Sequence, residues 1–256
     1  MTEPAVNFQT FRAELHLHTV LSPCAAIEMI PPLIIDRAQA SGINLIAISD
    51  HNAIANIEAV MQAARGSSVT VLPAIELQTR EEIHSLCLFD SLAQIQAFFD
   101  RVLPSMSDIQ NNVEFFGEQF VVDATGDFIR REERLLISSC SLSLKEAWQL
   151  VAEHQGLLIP AHVNRSAFGL FPVLGFIPQD IDLEILEISH HITPEQALSQ
   201  YPQLADYRLI QNGDAHFLDD ILGLNEFIIK KPTVSEIRKA ILGTDGRKYR
   251  NLSTVS

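Results

Sequence analysis

His16 and His18 form an HxH pair in the segment Ala13–Thr19. Side chains two apart on a strand project from one face, so these two imidazoles can share a single cation. Asp50 and His51 follow directly on the apolar run Asn44–Ser49, Glu76 closes Val71–Ile75, and His84 lies in Ile83–Phe89. His162 ends Leu157–Ala161, and Asp214 and His216, again two apart, follow Leu209–Asn212. Imidazole and carboxylate are the ligand types of zinc, manganese and iron, and a carboxylate bridging two such ions beside a water makes hydroxide available near neutral pH. A metal-bridging hydroxide of that kind attacks phosphorus, and the cations neutralise charge that grows on the phosphate oxygens. Six of the nine histidines gather beside acids in this way, whereas His154, His190 and His191 show ordinary placement.

Strand-like and helix-like segments must carry these groups to one place. Strands are predicted at Ala13–Thr19, Asn44–Ser49, Val69–Leu77, Ile83–Phe89, Leu157–Val163, Leu183–Ser189 and Leu209–Gly213. Helical periodicity falls in Met29–Ser41, Asn56–Ala64, Leu92–Val102, Leu144–His154 and Pro194–Leu204. Ser143 with Glu146 and Thr233 with Glu236 have capping-box spacing, the second opening a last helix. This alternation predicts a parallel sheet with crossover helices, and each candidate ligand lies at or near the C-terminal end of a predicted strand, the face on which barrel active sites are built. The alternation breaks over residues 104–140, where Gln119–Ile137 reads as two strands around Ala124–Asp127. This insertion either caps the active-site face and selects the substrate or forms a dimer contact.

At 256 residues the chain is expected to form one domain, residues 1–256, and its 47% apolar and 20% charged composition is that of a packed core. Cys24, Cys87 and Cys140 are too scattered for a disulfide framework, and Cys87 alternates into a strand as a core residue. Met1–Thr10 lacks the layout of an export signal and no apolar run is long enough to span a membrane, so a cytoplasmic protein without a membrane partner is expected. A net charge of −14 disfavours long nucleic acid as a partner, yet suits a protein holding several divalent cations.

The segments HLHT (His16–Thr19), ISDH (Ile48–His51), AIE (Ala74–Glu76), His84, PAH (Pro160–His162) and GDAH (Gly213–His216) together resemble the PHP (polymerase and histidinol phosphatase) superfamily. The resemblance implies a distorted, TIM-like (β/α)7 barrel, here with the inserted segment 104–140, and hydrolysis of phosphate esters with two to three divalent ions. It implies that His16, His18, Glu76 and Asp214 hold a first ion, and that Glu76 bridges to a second bound also by His84 and His162. His51 and His216 would hold a third, with Cys24 at the place where relatives usually carry Asp or His. A thiolate there favours zinc over manganese or magnesium, iron being a further candidate for the cluster. Glu76, Asp214 and His216 take the catalytic roles in this picture. Asp50 is expected to orient a neighbour rather than bind metal. Arg165 and Arg80 are the candidate phosphate clamps, each weighed against a solvated surface charge.

Three functions fit these residues: a phosphatase or phosphodiesterase acting on a small phosphorylated substrate or short nucleotide, a 5′-to-3′ exonuclease on short oligonucleotides, or a metal-binding module without turnover. The near-complete ligand set argues against the third.

Overall fold

The computed structural model describes residues 7–253, so the first six residues of the Met1–Thr10 segment lie outside it. In chain order the elements are β1 (Gln9–Leu17), α1 (Pro31–Ala40), β2 (Leu45–Ile48), α2 (Ile57–Ala63), β3 (Thr70–Gln78), β4 (His84–Leu88), α3 (Leu92–Val102), α4 (Val113–Phe116), β5 (Phe120–Val122) and β6 (Phe128–Arg131). There follow α5 (Leu144–Glu153), β7 (Leu157–Pro160), α6 (Leu170–Leu174), β8 (Ile185–Ser189), α7 (Pro194–Gln200), β9 (Arg208–Asn212), β10 (Asn225–Ile229), α8 (Val234–Leu242) and β11 (Lys248–Asn251).

Seven strands form one curled sheet in the order β11-β10-β1-β2-β3-β4-β7, and β8 pairs in parallel with β9. Backbone bonds from Val163 N to Glu187 O (2.8 Å), from His18 N to Ala215 O (3.0 Å) and from Ala215 N to His16 O (3.0 Å) set the β8–β9 pair between β7 and β1. The mixed α/β half-barrel thus agrees with the fold expected from the sequence. Its inner face is one apolar cluster, built at period two from Phe11, Ala13 and Leu15 of β1, Leu45 and Ala47 of β2, Leu72 and Ala74 of β3, and Leu86 and Leu88 of β4. The outward residues Ile46, Ile48, Ile75, Leu77, Leu186 and Ile188 pack with the helices, and Cys87 joins them as a buried core thiol. Burial on both faces is why strands such as Leu45–Ile48 read as unbroken apolar runs.

β4 departs from the expected parallel order: it runs antiparallel to both β3 and β7. Only Thr79–Ile83 separates β3 from β4, too short for the dozen or more residues of a parallel crossover, so the chain turns back as a hairpin. β10 and β11, which the sequence pattern did not mark, extend the sheet antiparallel beyond β1. The helix predicted over Pro194–Leu204 ends at Gln200, before Pro202.

The Ser143–Glu146 capping box forms, but the one predicted at Thr233 does not: Thr233 makes no side-chain cap. Glu236 is engaged elsewhere, accepting from Arg247 Nη2 (2.6 Å), Arg247 Nε (3.0 Å) and the Lys230 amide (2.9 Å).

The insertion carries α4 and the β5–β6 hairpin and braces the loop after β1: Phe120 N donates to Val20 O (3.1 Å). Gly117, which ends α4, has φ +95°, and a Cβ there would lie 2.8 Å from the Pro23 carbonyl oxygen, so the insertion can approach the Cys24 loop this closely only with glycine. No helix among the described residues is long and apolar enough to cross a membrane.

Candidate metal centre

At β1 the register with β2 shifts between Glu14 and Leu17, and Leu17 packs with the outer cluster while Leu15 packs inside. That irregularity reverses the alternation, so His16 and His18 take the inner face directly above Leu15. Glu76 continues the inward series Leu72–Ala74 of β3, and His84 continues Leu88–Leu86 of β4. His84 therefore opens its strand rather than ending it, correcting the expectation that every ligand sits at a C-terminal end. Because β4 is antiparallel and His84 pairs with Gln78, the start of β4 lies at the same mouth as the end of β3. His162 and Asp214 follow β7 and β9 with φ +30° and +50°, uncommon for residues other than glycine and typical of turns that redirect a side chain.

The Glu76 carboxylate is the hub. Its Oε1 lies 3.2 Å from His16 Nε2, 2.9 Å from His84 Nδ1 and 3.2 Å from His162 Nε2; its Oε2 lies 2.8 Å from His51 Nδ1 and 3.4 Å from His18 Nε2. Asp214 Oδ1 is 3.2 Å from His16 Nε2 and 3.4 Å from His18 Nε2, and Cys24 Sγ is 3.1 Å from His216 Nε2. Three groups have ligand atoms close enough to share an ion: His16, His18 and Asp214; His51, Glu76 and His84; and His18, His51 and His216. The structure thus brings all nine ligand candidates together. Against the partition implied by the resemblance, His51 leans on Glu76, and the His18 ring stacks on His216 at 4.2 Å.

Hydrogen bonding around the rim tests whether these residues fit a cation. Asp50 Oδ1 accepts from Ser22 Oγ (2.8 Å) and from the Thr19 amide (2.7 Å), and Oδ2 accepts from Thr19 Oγ1 (2.8 Å), the orienting role expected for Asp50. Because the Ser22 proton points to Asp50, Ser22 Oγ accepts from His18 Nδ1 at 3.0 Å. His18 Nε2 then carries a lone pair that faces two carboxylates. His18 Nε2, His16 Nε2 and His84 Nδ1 are buried with no well-aligned hydrogen bond, although Glu76 oxygens lie 2.9–3.4 Å away. Imidazole nitrogens and carboxylate oxygens converging in a dry space form a site that a cation would satisfy. Zinc, manganese or iron meets that donor set.

The electrostatics agree. Burial disfavours charge on Glu76, but His84, His16 and His51 outweigh it and hold the carboxyl well below its usual range. Asp214 is also lowered, burial being overcome chiefly by His16. Burial drives His84 down to about 4, whereas at His51 it is outweighed by Glu76 and Cys24, which lift the imidazole to about 10. Burial opposes the Cys24 thiolate, yet hydrogen bonds from His216 and His51 bring the thiol down to about 6.

Arg165 Nη1 lies 2.6 Å from Asp214 Oδ2 with its side chain about half exposed, at the edge of the cluster. Arg80 does not join it: the side chain is exposed and is absent from the lining of the cavity over the cluster. A cavity of about 430 Å³ opens over the cluster, lined by Cys24, Arg165, His190, Asp214, His216 and Phe217. No residue of the insertion lines it; the insertion meets instead the loop after β1 that carries Cys24. A larger cavity of about 830 Å³ lies at the opposite end of β9, beside Arg208, and contains no acid or imidazole. Sequence reasoning missed Phe217, for which no spacing signal exists, and Glu187, which continues the inward position of Ile185 on β8.

A sequence profile described as the PHP domain matches residues 14–160. No curated protein matches the chain. Among solved structures, the lesion-specific endonuclease PfuEndoQ from Pyrococcus furiosus is 22% identical with a TM-score of 0.73, over 94% of this chain and 58% of that one. Endonuclease Q in complex with a 27-mer duplex carrying an abasic lesion at its active site gives 22% identity and a TM-score of 0.72 over the same shares. The chain therefore spans 58% of the length of these endonuclease chains. A two-domain protein from Bacteroides vulgatus, containing a predicted PHP-like metal-dependent phosphoesterase, is 12% identical with a TM-score of 0.55, over 97% of this chain and 67% of that one.

Proposed function

The chain belongs to the PHP domain family, and from that premise we propose that it is a metal-dependent hydrolase of phosphate esters, a phosphatase or phosphodiesterase acting on a small phosphorylated substrate or short nucleotide. One observation carries the reading: five imidazoles, from His16, His18, His51, His84 and His162, close on the single buried carboxylate of Glu76. His16, His18 and Asp214 would hold one ion, Glu76 with His84 and His162 a second, and His51, His216 and Cys24 a third. When bound, such ions supply Lewis acidity that lowers the pKa of water and neutralises phosphate charge.

The chain's own groups do the rest. Glu76 and Asp214 bring the negative charge that retains cations and, with His216, are assigned closest to the reacting centre. Arg165, held by Asp214 at the cavity edge, is placed to release that contact and grip a phosphate oxygen. Replacing Arg165 with Ala is expected to raise KM about 10- to 100-fold, the loss of a charged hydrogen bond of about 1.5–3 kcal/mol, with a smaller change in kcat. Steady-state kinetics against a substrate of known charge checks this.

Cys24 is proposed as a zinc-selecting ligand, since its sulfur meets His216 Nε2 at 3.1 Å and the thiol is already shifted toward thiolate. Cys24→Ser should lower the zinc-to-manganese ratio retained from an equimolar mixture, read by elemental analysis. An unchanged ratio together with unchanged turnover removes Cys24 from the site.

The DNA-bound Endonuclease Q shares this fold and favours a second reading, an endonuclease or 5′-to-3′ exonuclease acting on nucleic acid. The net charge of −14 weighs against a long duplex. Screening sugar phosphates, nucleotides, histidinol phosphate, short RNA and an abasic duplex at equal metal loading separates the two. Turnover of the duplex alone favours the nuclease, and no turnover of any substrate by fully loaded protein favours a binding module.

A further inference from the structure

Glu187 is buried to 1% exposure on β8 and belongs to none of the ligand positions. Its two oxygens meet three donors. Oε1 accepts from the His162 amide (3.1 Å) and faces His16 Nδ1 (3.1 Å), and Oε2 accepts from Asn212 Nδ2 (2.7 Å). The Asn212 amide cannot be turned round, because its Oδ1 already accepts from Leu15 N (2.9 Å) and from Asn225 Nδ2 (2.7 Å). Asn212 must therefore donate to Glu187, as must the His162 amide, and the carboxylate has only acceptor work to do. The proton shared with His16 accordingly sits on Nδ1. Across the ring, Nε2 lies 3.2 Å from Glu76 Oε1 and 3.2 Å from Asp214 Oδ1, so it is the nitrogen whose lone pair would be given to a cation.

We propose that Glu187 is a positioning residue that locks His16 with its proton on Nδ1 and its Nε2 lone pair aimed between Glu76 and Asp214, a preformed ligand for a divalent cation. The two histidines of the HxH pair are set differently. His18 is held by a neutral hydroxyl, Ser22, whereas His16 is held by a charged carboxylate that also makes its free nitrogen more basic. The same carboxylate ties the His162 backbone to β8, so one ligand on β1 and one just after β7 take their placement from one side chain.

The inference rests on the metal-centre reading, but its tests read zinc binding and proton position, not turnover, so failure of the phosphoesterase reading leaves them interpretable. In Glu187→Gln, zinc affinity of the tightest site, measured by competition with a chromogenic chelator, is expected to fall about 10- to 100-fold. A purely structural role would instead lower the melting temperature and leave zinc affinity of the folded protein unchanged; that outcome overturns the proposal. Should the variant fail to fold, the wild-type protein decides: 15N-histidine spectra of the zinc-loaded chain must show His16 protonated at Nδ1. A His16 proton on Nε2 overturns it.

Discussion

Replacing Glu76 with glutamine is expected to reduce turnover by at least about three orders of magnitude while the far-ultraviolet circular dichroism stays that of the folded chain. Glu76 is fully buried, and five histidine nitrogens lie 2.8–3.4 Å from its oxygens. Among the described residues no other carboxylate pairs with His51, His84 and His162 as well as the HxH pair. An amide of the same shape removes the charge those imidazoles surround and turns one oxygen into a donor, so neighbouring cations would lose their shared ligand. Metal-ion catalysis contributes several kcal/mol of transition-state stabilisation, and each 1.36 kcal/mol is tenfold in rate. Retained activity with retained metal in Glu76→Gln would remove Glu76 from the centre of the mechanism.

Stripping metal with a chelator is expected to abolish turnover and lower the melting temperature by about 8–16 °C, both recovered on adding zinc or manganese. The estimate follows from linkage: at a free ion concentration about a thousand times Kd, binding stabilises the native state by about 4 kcal/mol, and each kcal/mol is worth about 2–4 °C in a chain of this size. The sign follows from the site itself. Without cations, buried nitrogens of His16, His18 and His84 crowd carboxylate oxygens with no well-aligned hydrogen bond, a cost that an ion would remove. Protons compete for the same nitrogens, so the stabilisation gained from metal should shrink as pH falls. Differential scanning calorimetry of stripped and reloaded protein measures both effects, and an unchanged melting temperature on stripping would contradict them.

Much of this centre was legible before any coordinates. Period two carried Glu76 and His84 inward with their strands, and a histidine or acid immediately after an apolar run was enough to mark His51, His162 and Asp214. What escaped depends on geometry that spacing does not encode. The irregularity between Glu14 and Leu17 decides that His16 and His18, and not Leu17, face inward, yet the HxH pattern reads the same with or without it. The direction of β4 was recoverable from its short connection, since five residues cannot hold a crossover helix; the expectation of uniform alternation hid it. Thr233 and Glu236 have the spacing of a cap, but Arg247, past the end of the helix, captures the glutamate by two hydrogen bonds. Glu187 looks like any acid in a buried strand until His16, His162 and Asn212 are seen to converge on it. Arg80, a cation near the ligands in sequence, has an exposed side chain and does not line the cavity over the cluster.

The central claim is that residues from β1, β2, β3, β4, β7 and β9 and their following loops hold a cluster of divalent ions. Anomalous diffraction from crystals of the zinc-loaded chain tests it most directly. Two or three anomalous peaks are expected, each about 2.0–2.3 Å from imidazole nitrogens, carboxylate oxygens or the Cys24 sulfur, with Glu76 touching more than one. Fully loaded crystals whose peaks lie elsewhere on the protein, with none within reach of both His16 and Glu76, would contradict it.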